Sequence, residues 1–293
     1  MDLKAYLRDK RALVDEALKS VFPEPQGPSA DVVRAMTYSL FAGGKRLRPI
    51  LCIGGAEAVG TEERVVLPFA CSLELIHTYS LIHDDLPAMD DDDLRRGKPT
   101  NHKVFGEAVA LLAGDGLLTE AFRLMAGTGG VEPLALLRVI RLVGSAAGYQ
   151  GMVGGQVVDI QSEGKPVDPS LVNFIHSHKT GALIHASVTS GAILGRGTEE
   201  QIKAISSYGE KIGLAFQIAD DILDVEGDSK TMGKAVGGDE RKKKITFPAA
   251  VGLQRAKETQ GRLVEEAVAA LKAFGKKADP LRSIAVYIIE RKK

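Results

Sequence analysis

The chain has 293 residues, and its 38 Lys and Arg side chains balance 38 Asp and Glu side chains, so the formal net charge is zero. This balance argues against nucleic acid as the main partner, because proteins that bind polyanions usually carry a basic excess. The two cysteines, Cys52 and Cys71, are too few for a disulfide framework or a four-ligand zinc site.

The start of the chain does not have the basic and apolar regions of a secretory signal. Two long uncharged runs, 142–158 and 180–195, are shorter than the roughly 20 apolar residues of a membrane span, and polar residues dilute both. We therefore expect a cytoplasmic protein with no membrane span.

Gly and Pro clusters divide the chain into segments of helical length. The clusters lie at 23–28, 60–63, 127–133, 164–169, 195–200, 227–244 and 275–280. Between them apolar residues recur every three or four positions, and strand-like alternation is scarce. Aromatic residues make up 5% and Trp is absent, which also disfavours strands. The pattern predicts an all-α protein, a helical bundle of about ten or eleven helices in one domain spanning 1–293.

Lys45, Arg46 and Arg48 follow a Gly pair and precede Pro49, which predicts a helix entrance lined with cations. The spacing differs from that of a Walker phosphate loop. On its own this segment is typical of a surface patch.

The most unusual segment runs from Ser80 to His102. It holds aspartates at 84, 85 and 90–93, followed by Arg95 and Arg96. The spacing does not fit a calcium-binding EF-hand loop. Pro87 predicts a bend between Asp85 and Asp90, because proline interrupts a helix. His77 lies seven residues before Asp84, hence on nearly the same helix face.

A glycine-rich stretch, 144–155, is interpreted as a close helix crossing or a loop, with backbone approach to a ligand as the alternative. Further along, Lys179 and Thr180 are neighbours. Lys234 and Lys244 lie in a polar loop.

A second acidic cluster lies within 213–228. Asp220 and Asp224 share one helix face, with Gln217 one turn earlier on the same side. The rest of this helix is apolar, so buried carboxylates there need a partner. Basic side chains are one candidate. Magnesium shared with phosphate groups is the other, because hard oxygen ligands with room for water suit that ion. Two such clusters in one helical domain suggest one shared site.

Together these motifs resemble the trans-isoprenyl diphosphate synthases, and most closely the bacterial farnesyl diphosphate synthases, over essentially the full chain. The matching segments are GGKRLRP at 43–49, DDLPAMD at 84–90 with LRRGKPTNH after it, HKTG at 178–181, FQIADDILD at 216–224, and TMGK with KKITFP beyond. The resemblance implies an isoprenoid synthase fold with a central cavity, a homodimer, and about three magnesium ions per site, with manganese as an alternative ion.

Carried over by position, the resemblance assigns roles to individual residues. The implied metal ligands are Asp84, Asp85, Asp90, Asp220 and Asp224. Isopentenyl diphosphate would be held by Lys45, Arg48, His77 and Arg96. The allylic diphosphate would be held by Arg95, Lys179, Lys234 and Lys244. Thr180 and Gln217 would face the developing cation, and the catalytic set would be Lys179, Thr180, Gln217 and Arg95. Tyr79 and Ser80 would form the floor that limits product length.

The implied reaction joins isopentenyl diphosphate head-to-tail with dimethylallyl or geranyl diphosphate. Magnesium-assisted departure of pyrophosphate leaves an allylic cation, which the double bond of isopentenyl diphosphate attacks before a proton is lost. The cation needs a dry cavity. The bulk of Tyr79, together with the long first motif, resembles enzymes that make (2E,6E)-farnesyl diphosphate.

Three alternatives remain open at this point. A geranylgeranyl diphosphate synthase differs only in product length. A class I terpene cyclase does not need the second set of diphosphate cations at Lys45, Arg48 and His77. A non-catalytic synthase subunit is expected to carry degraded carboxylate motifs, whereas both motifs are intact here.

Overall fold

The computed structural model describes residues 1–166, 168–226 and 245–290. The helices in these ranges are α1 (Leu3–Lys19), α2 (Ala30–Leu40), α3 (Leu47–Ala58), α4 (Glu63–Asp84), α5 (Asn101–Phe105), α6 (Glu107–Ala126), α7 (Pro133–Ala147), α8 (Met152–Ser162), α9 (Pro169–Ile175), a π-helix (His176–Gly181), α10 (Ala182–Leu194), α11 (Glu199–Glu226), α12 (Phe247–Val251), α13 (Leu253–Ala270), a 3₁₀ turn (Lys276–Ala278) and α14 (Asp279–Glu290). Two short strands, β1 (Leu94–Arg95) and β2 (Lys98–Pro99), pair antiparallel. The all-α prediction is confirmed.

Contacts along the chain define two compact units. The small unit consists of Lys4–Ile50 and Arg64–Val131, and the large unit of Met1–Leu3, Leu51–Glu63 and Glu132–Lys293. The chain enters each unit more than once, and the single domain spanning 1–293 stays a prediction.

The small unit is built around α4, an apolar helix of 22 residues. Within the part of the chain that the structure describes, α4 has the length and apolarity of a membrane span, but 67% of its apolar window is buried inside the protein. A buried core helix of a folded protein has the same properties. Elsewhere in this unit α2 packs against α5 and α6.

The large unit is organised around α11, which packs against α10, α13 and the π-helix. Helix α10 is buried along almost its whole length. It crosses α3 so closely that a Cβ added at Gly191 would overlap the carbonyl oxygen of Cys52, and one at Gly55 would overlap that of Val188. Glycine at both positions therefore sets the distance between these two helices.

Short polar caps begin several helices of the large unit. The Glu132 side chain accepts a hydrogen bond from the Ala135 N–H at 2.7 Å, and Pro133 follows it at the start of α7. Asp168 caps α9 in the same way through the Ser170 N–H at 2.8 Å. Proline is tolerated at these first positions because the helix does not use that N–H.

The glycine-rich stretch 144–155 lies at the end of α7, in the following turn and in α8. A Cβ at Gly155 would overlap the backbone of Lys179 in the π-helix, whereas Gly144 has open space around it. The interpretation as a close helix crossing is confirmed at Gly155.

Candidate active site

The first acidic motif begins where α4 ends. Helix α4 stops at Asp84, a turn follows, and the backbone N–H of Asp90 donates to the carbonyl oxygen of Asp84 at 2.9 Å. Asp91 has a positive φ of 48°, which turns the chain further. The bend predicted between Asp85 and Asp90 is therefore present, and it returns Asp90 to Asp84. Both side chains are half-buried.

Asp85 lies on a different side of this turn and is buried. Its Oδ1 accepts hydrogen bonds from Arg95 Nε at 2.9 Å and Arg95 Nη2 at 2.5 Å. Burial raises the pKa of Asp85, and the guanidinium opposes that shift. The carboxylate expected to bind metal thus holds Arg95, which was itself expected to bind the allylic diphosphate.

Arg95 and Arg96 lie in a tight hairpin, Arg95 as the last residue of β1 and Arg96 as the first residue of the turn. Arg95 pairs with Lys98, and the two loop residues, Arg96 and Gly97, have positive φ values of 54° and 76°. This is the backbone of a two-residue type I′ turn, in which glycine is favoured. As a result Arg95 is directed towards Asp85, while Arg96 Nη1 donates to the carbonyl oxygen of Gly43.

The cationic loop 43–48 is held in place by Arg46. This side chain is 3% exposed, and it donates to Asp15 Oδ1 at 2.7 Å, to Glu74 Oε1 at 2.8 Å and to the carbonyl oxygen of Leu40 at 2.8 Å. Glu74 in α4 is 2% exposed. A buried ion pair of this kind needs every partner, because either charge alone is costly to bury. Arg46 is therefore an internal support, and Lys45 is exposed beside it.

His77 lies in α4 among positive charges. Burial and the charges of Arg48, Arg96, Arg95 and Arg46 lower its pKa well below the ordinary value. The imidazole is therefore neutral at neutral pH. The same charges that disfavour a proton on His77 favour an anion beside it.

The two expected chain-length residues lie one turn before the acidic motif. Tyr79 is buried, and burial together with the nearby Asp84 raises its pKa to about 12, so the phenol stays neutral. Its ring meets that of His83 edge-on, with centroids 5.6 Å apart. Ser80 donates to the carbonyl oxygen of His77 at 2.9 Å.

In the large unit the second motif lies on one face of α11. Gly213 touches the backbone of Gly181 in the π-helix, where an added Cβ would lie 2.8 Å from the Gly181 Cα. Gln217, Asp220 and Asp224 follow on the same face of the helix, because positions 4, 7 and 11 residues further on are nearly aligned. All three side chains are half-buried.

The π-helix carries Lys179 and Thr180, both half-buried, just before Gly181. π-helical segments are rare and occur often at functional sites. Contact with α11 at Gly213 brings this segment beside the face that carries Gln217 and the two aspartates.

Lys179 has a partner that the sequence did not predict. Its Nζ donates to Asp159 Oδ2 at 2.6 Å, and Asp159, in α8, is buried. One turn earlier Gln156 has a buried Oε1 with no hydrogen-bond partner among the described residues. A carboxylate within the otherwise uncharged run of α8 was the available signal.

Lys234 and Lys244 lie outside the described residues. Cys52 and Cys71 are buried free thiols, and burial raises the pKa of Cys71 to about 12. Such a thiol is not a nucleophile at neutral pH.

The carboxylate pairs fit magnesium by their chemistry. Asp84 with Asp90, and Asp220 with Asp224, each offer hard oxygen donors on half-buried side chains. Among the described residues no group of three or more Asp, Glu, His or Cys side chains is gathered as a ready metal cage. Magnesium is typically held by one or two carboxylates and completed by water and substrate phosphates.

Comparison with known proteins decides the family. The polyprenyl synthetase family model matches residues 30–284. The chain belongs to the polyprenyl synthetase family. A farnesyl diphosphate synthase of Geobacillus stearothermophilus is 48% identical over 88% of this chain and 87% of that enzyme.

Other polyprenyl synthetases with similar sequence or structure carry a different product name. The large subunit 1 of the chloroplastic heterodimeric geranylgeranyl pyrophosphate synthase of Arabidopsis thaliana is 48% identical over 99% of this chain and 80% of that protein. The crystal structure of the geranylgeranyl pyrophosphate synthetase of Pyrococcus horikoshii superposes with a TM-score of 0.91 at 34% identity, covering 99% of this chain and 98% of that one. The predicted family and the isoprenoid synthase fold are confirmed, and the chain is a short-chain prenyltransferase.

Proposed function

We propose that this prenyltransferase condenses isopentenyl diphosphate with dimethylallyl and geranyl diphosphate, in the presence of magnesium, and makes mainly (2E,6E)-farnesyl diphosphate. The proposal takes its reaction class from the family and its product from Tyr79. We propose about three magnesium ions per site, with manganese as a substitute.

The observation that carries the proposal is the positive field around His77. Burial lowers the pKa of His77 most, and the charges of Arg48, Arg96, Arg95 and Arg46 lower it further. Arg46 and Arg95 are paired with carboxylates, whereas Arg96 is exposed on the hairpin next to the Gly43–Gly44 backbone. A group of arginines around a neutral imidazole suits a diphosphate, which Arg binds in bidentate fashion.

In the proposed mechanism the two substrates are recognised by their diphosphates. Lys45, Arg48, His77 and Arg96 would hold isopentenyl diphosphate, with His77 acting as a neutral hydrogen-bonding group. Lys179, Arg95, Lys234 and Lys244 would hold the allylic diphosphate. The aspartates at 84, 85, 90, 220 and 224 would hold magnesium, with Asp85 also fixing Arg95. Bound magnesium would neutralise the charge that builds on the departing diphosphate.

The allylic cation needs nearby dipoles that stabilise its positive charge and a cavity from which water is excluded. The Thr180 hydroxyl and the Gln217 amide lie on elements that touch, and their oxygens would stabilise positive charge without forming a bond to it. No side-chain nucleophile is required, in agreement with the raised pKa of Cys71. The proton lost after condensation would leave on pyrophosphate.

Farnesyl as the main product depends on Tyr79. The ring is buried and braced by His83, whose Nε2 lies 3.0 Å from the carbonyl oxygen of Leu111. A braced aromatic ring in the cavity floor would stop elongation at fifteen carbons. A geranylgeranyl product is the second candidate, favoured by the names of the Arabidopsis and Pyrococcus relatives.

The experiment is to supply magnesium, isopentenyl diphosphate and, in turn, dimethylallyl, geranyl and farnesyl diphosphate, and to size the products by chromatography. We expect farnesyl diphosphate from the first two substrates and little elongation of the third. Tyr79→Ala should shift the products to twenty carbons or more. Efficient elongation of farnesyl diphosphate by the wild type would favour the geranylgeranyl assignment, and no elongation of any substrate would overturn the proposed function.

We also propose a homodimer in the cytoplasm, with no nucleic-acid or membrane partner. Leu111 and Leu112 on α6 are 46% and 58% exposed, and Leu134 and Leu137 on α7 are 73% and 62% exposed. If such side chains form a contiguous patch, that patch is a candidate interface between two copies of the chain. Sedimentation equilibrium that returns a monomer at micromolar concentration would contradict the dimer. Free buried thiols at Cys52 and Cys71 agree with a reducing compartment.

A further inference from the structure

Asp221 differs from the two aspartates beside it in the second motif. Around the helix Asp221 lies about 100° from Asp220 and about 60° from Asp224, at the edge of the face that those two residues share. It is 6% exposed, whereas both neighbours are half-buried. Its carboxylate therefore points into the large unit.

The Asp221 carboxylate joins two other elements to α11. Oδ2 accepts a hydrogen bond at 2.7 Å from the backbone N–H of Phe247, the first residue of α12. The same oxygen lies 3.2 Å from Nε2 of His176, the first residue of the π-helix. His176 is 4% exposed, and its ring stacks on that of Phe247 with centroids 6.1 Å apart.

The contact at His176 reaches the proposed substrate groups. Lys179 and Thr180 follow His176 in the same π-helix, which has only six residues. A segment with such unusual hydrogen bonding persists only where surrounding contacts fix it. His176 is fixed at one end by Asp221, and Gly181 is fixed at the other end by the backbone contact with Gly213.

We infer that Asp221 is a positioning residue, which holds the π-helix and the start of α12 and does not bind metal. Its Oδ2 is bound to the buried Phe247 N–H and His176 ring, and the residue is only 6% exposed, so an ion would have to enter the interior of the large unit to reach it. The inference rests on the proposed function, because Lys179 and Thr180 are assigned to the allylic substrate there.

Three variants test the inference: Asp221→Asn, Asp221→Ala and the matched control Asp220→Asn. Asparagine keeps an acceptor oxygen for the Phe247 N–H, so Asp221→Asn should keep kcat within about fivefold of the wild type. Asp221→Ala should lower kcat/KM for the allylic diphosphate by about 10–100-fold and leave KM for isopentenyl diphosphate unchanged. In both Asp221 variants the magnesium concentration for half-maximal rate should stay at the wild-type value. It should rise in Asp220→Asn, with kcat lowered by about 100-fold or more.

Amide hydrogen exchange gives a readout that does not depend on turnover. Asp221→Ala should speed exchange in a peptide covering 245–251, and Asp221→Asn should restore wild-type protection. An Asp221→Asn variant as inactive as Asp220→Asn, with the same rise in magnesium requirement, would make Asp221 a metal ligand and overturn the inference. Unchanged exchange and kinetics in Asp221→Ala would overturn it as well.

The outcomes separate this inference from the proposed function. If the wild type condenses no prenyl diphosphates, the proposed function fails, and hydrogen exchange still decides whether Asp221 holds α12. If Asp221→Ala does not fold, the comparison of Asp221→Asn with Asp220→Asn decides whether Asp221 is a positioning residue or a metal ligand.

Discussion

Asp84 ends helix α4 at the turn that returns Asp90 to it. We expect Asp84→Asn to lower kcat by about 100-fold or more, because an amide is a weaker magnesium ligand than a carboxylate. Steady-state kinetics measure the loss, and circular dichroism should show unchanged helicity. Asp9→Asn on the exposed side of α1 is the matched control and should keep full activity. Near-normal turnover in Asp84→Asn would contradict the metal assignment.

His77 should make stability depend on pH in the acidic range. Burial and the charges of Arg48 and Arg96 lower its pKa in the folded protein, so the unfolded chain binds the proton more readily. Above the unfolded pKa of about 6.5, His77 is neutral in both states and costs the folded protein no stability. Below that value the unfolded chain binds a proton that the folded protein does not, so the free energy of unfolding falls by up to about 1.4 kcal/mol per pH unit.

Urea unfolding of the wild type and of His77→Gln at pH 7.5, 6.5 and 5.5 measures this effect, with the pH values chosen around the unfolded pKa of about 6.5. His185, whose pKa burial also lowers, contributes in the same direction to both proteins. The free energy of unfolding should therefore fall less between pH 7.5 and 5.5 in His77→Gln than in the wild type, over the same range around the unfolded pKa of about 6.5. Identical losses in the two proteins would show that His77 is not desolvated.

The sequence predicted the types of residue in the site better than their pairings. Spacing on a helix placed Asp220 and Asp224 on one face, whereas Asp84 and Asp90 needed the bend at Pro87 and were assigned by the family resemblance; the metal role of all four stays a prediction. The structure adds that Arg46 pairs with Asp15 and Glu74, which are 31 and 28 positions away. No local pattern reveals such a pairing, because it depends on how distant helices pack.

At the scale of elements, the ion pair of Arg46 with Glu74 joins the cationic loop to α4. Glu74→Ala should lower the free energy of unfolding by about 3 kcal/mol, because it leaves a buried guanidinium short of one partner. Urea denaturation measures the change. Asp9→Ala, which removes an exposed partner of Arg8, should cost less than about 1 kcal/mol. Equal costs for the two variants would show that burial does not matter at Arg46.

The crossing of α3 and α10 supplies a second test. Gly191→Ala places a methyl group against the Cys52 carbonyl oxygen and should destabilise the protein by about 1–3 kcal/mol. Gly261→Ala in α13 meets open space and should stabilise it by about 0.5–1 kcal/mol, because alanine favours a helix. Thermal unfolding should show a lower melting temperature for Gly191→Ala and a higher one for Gly261→Ala than for the wild type. A stabilising Gly191→Ala would contradict the close crossing.

The helices and the Gly and Pro breaks between them were predictable from the sequence, whereas the π-helix and the short hairpin were not. The bend at Pro87 follows from the chemistry of proline alone. The π-helix at His176–Gly181 was not predicted, because its hydrogen bonding depends on contacts with α8 and α11. The hairpin of β1 and β2 is too short to show alternation, although Gly97 is the residue that its turn requires.

At the scale of the whole molecule, apolar periodicity and low aromatic content predicted the all-α class, and ordered motifs indicated the family. The division into two units was not predicted, since α3 and α4 fall at unit boundaries without a break in helical pattern. The central cavity and the chain-length floor stay predictions. The sequence indicates which residues would form the floor, but it does not determine the size or shape of the space beside them.

The central claim is that aspartate-bound magnesium drives prenyl transfer in this chain. The most direct measurement is consumption of isopentenyl and dimethylallyl diphosphate by the purified protein in magnesium and in excess chelator. We predict farnesyl diphosphate in magnesium, no product in chelator, and recovery when magnesium is restored. Product formation at the same rate in both solutions would contradict the account.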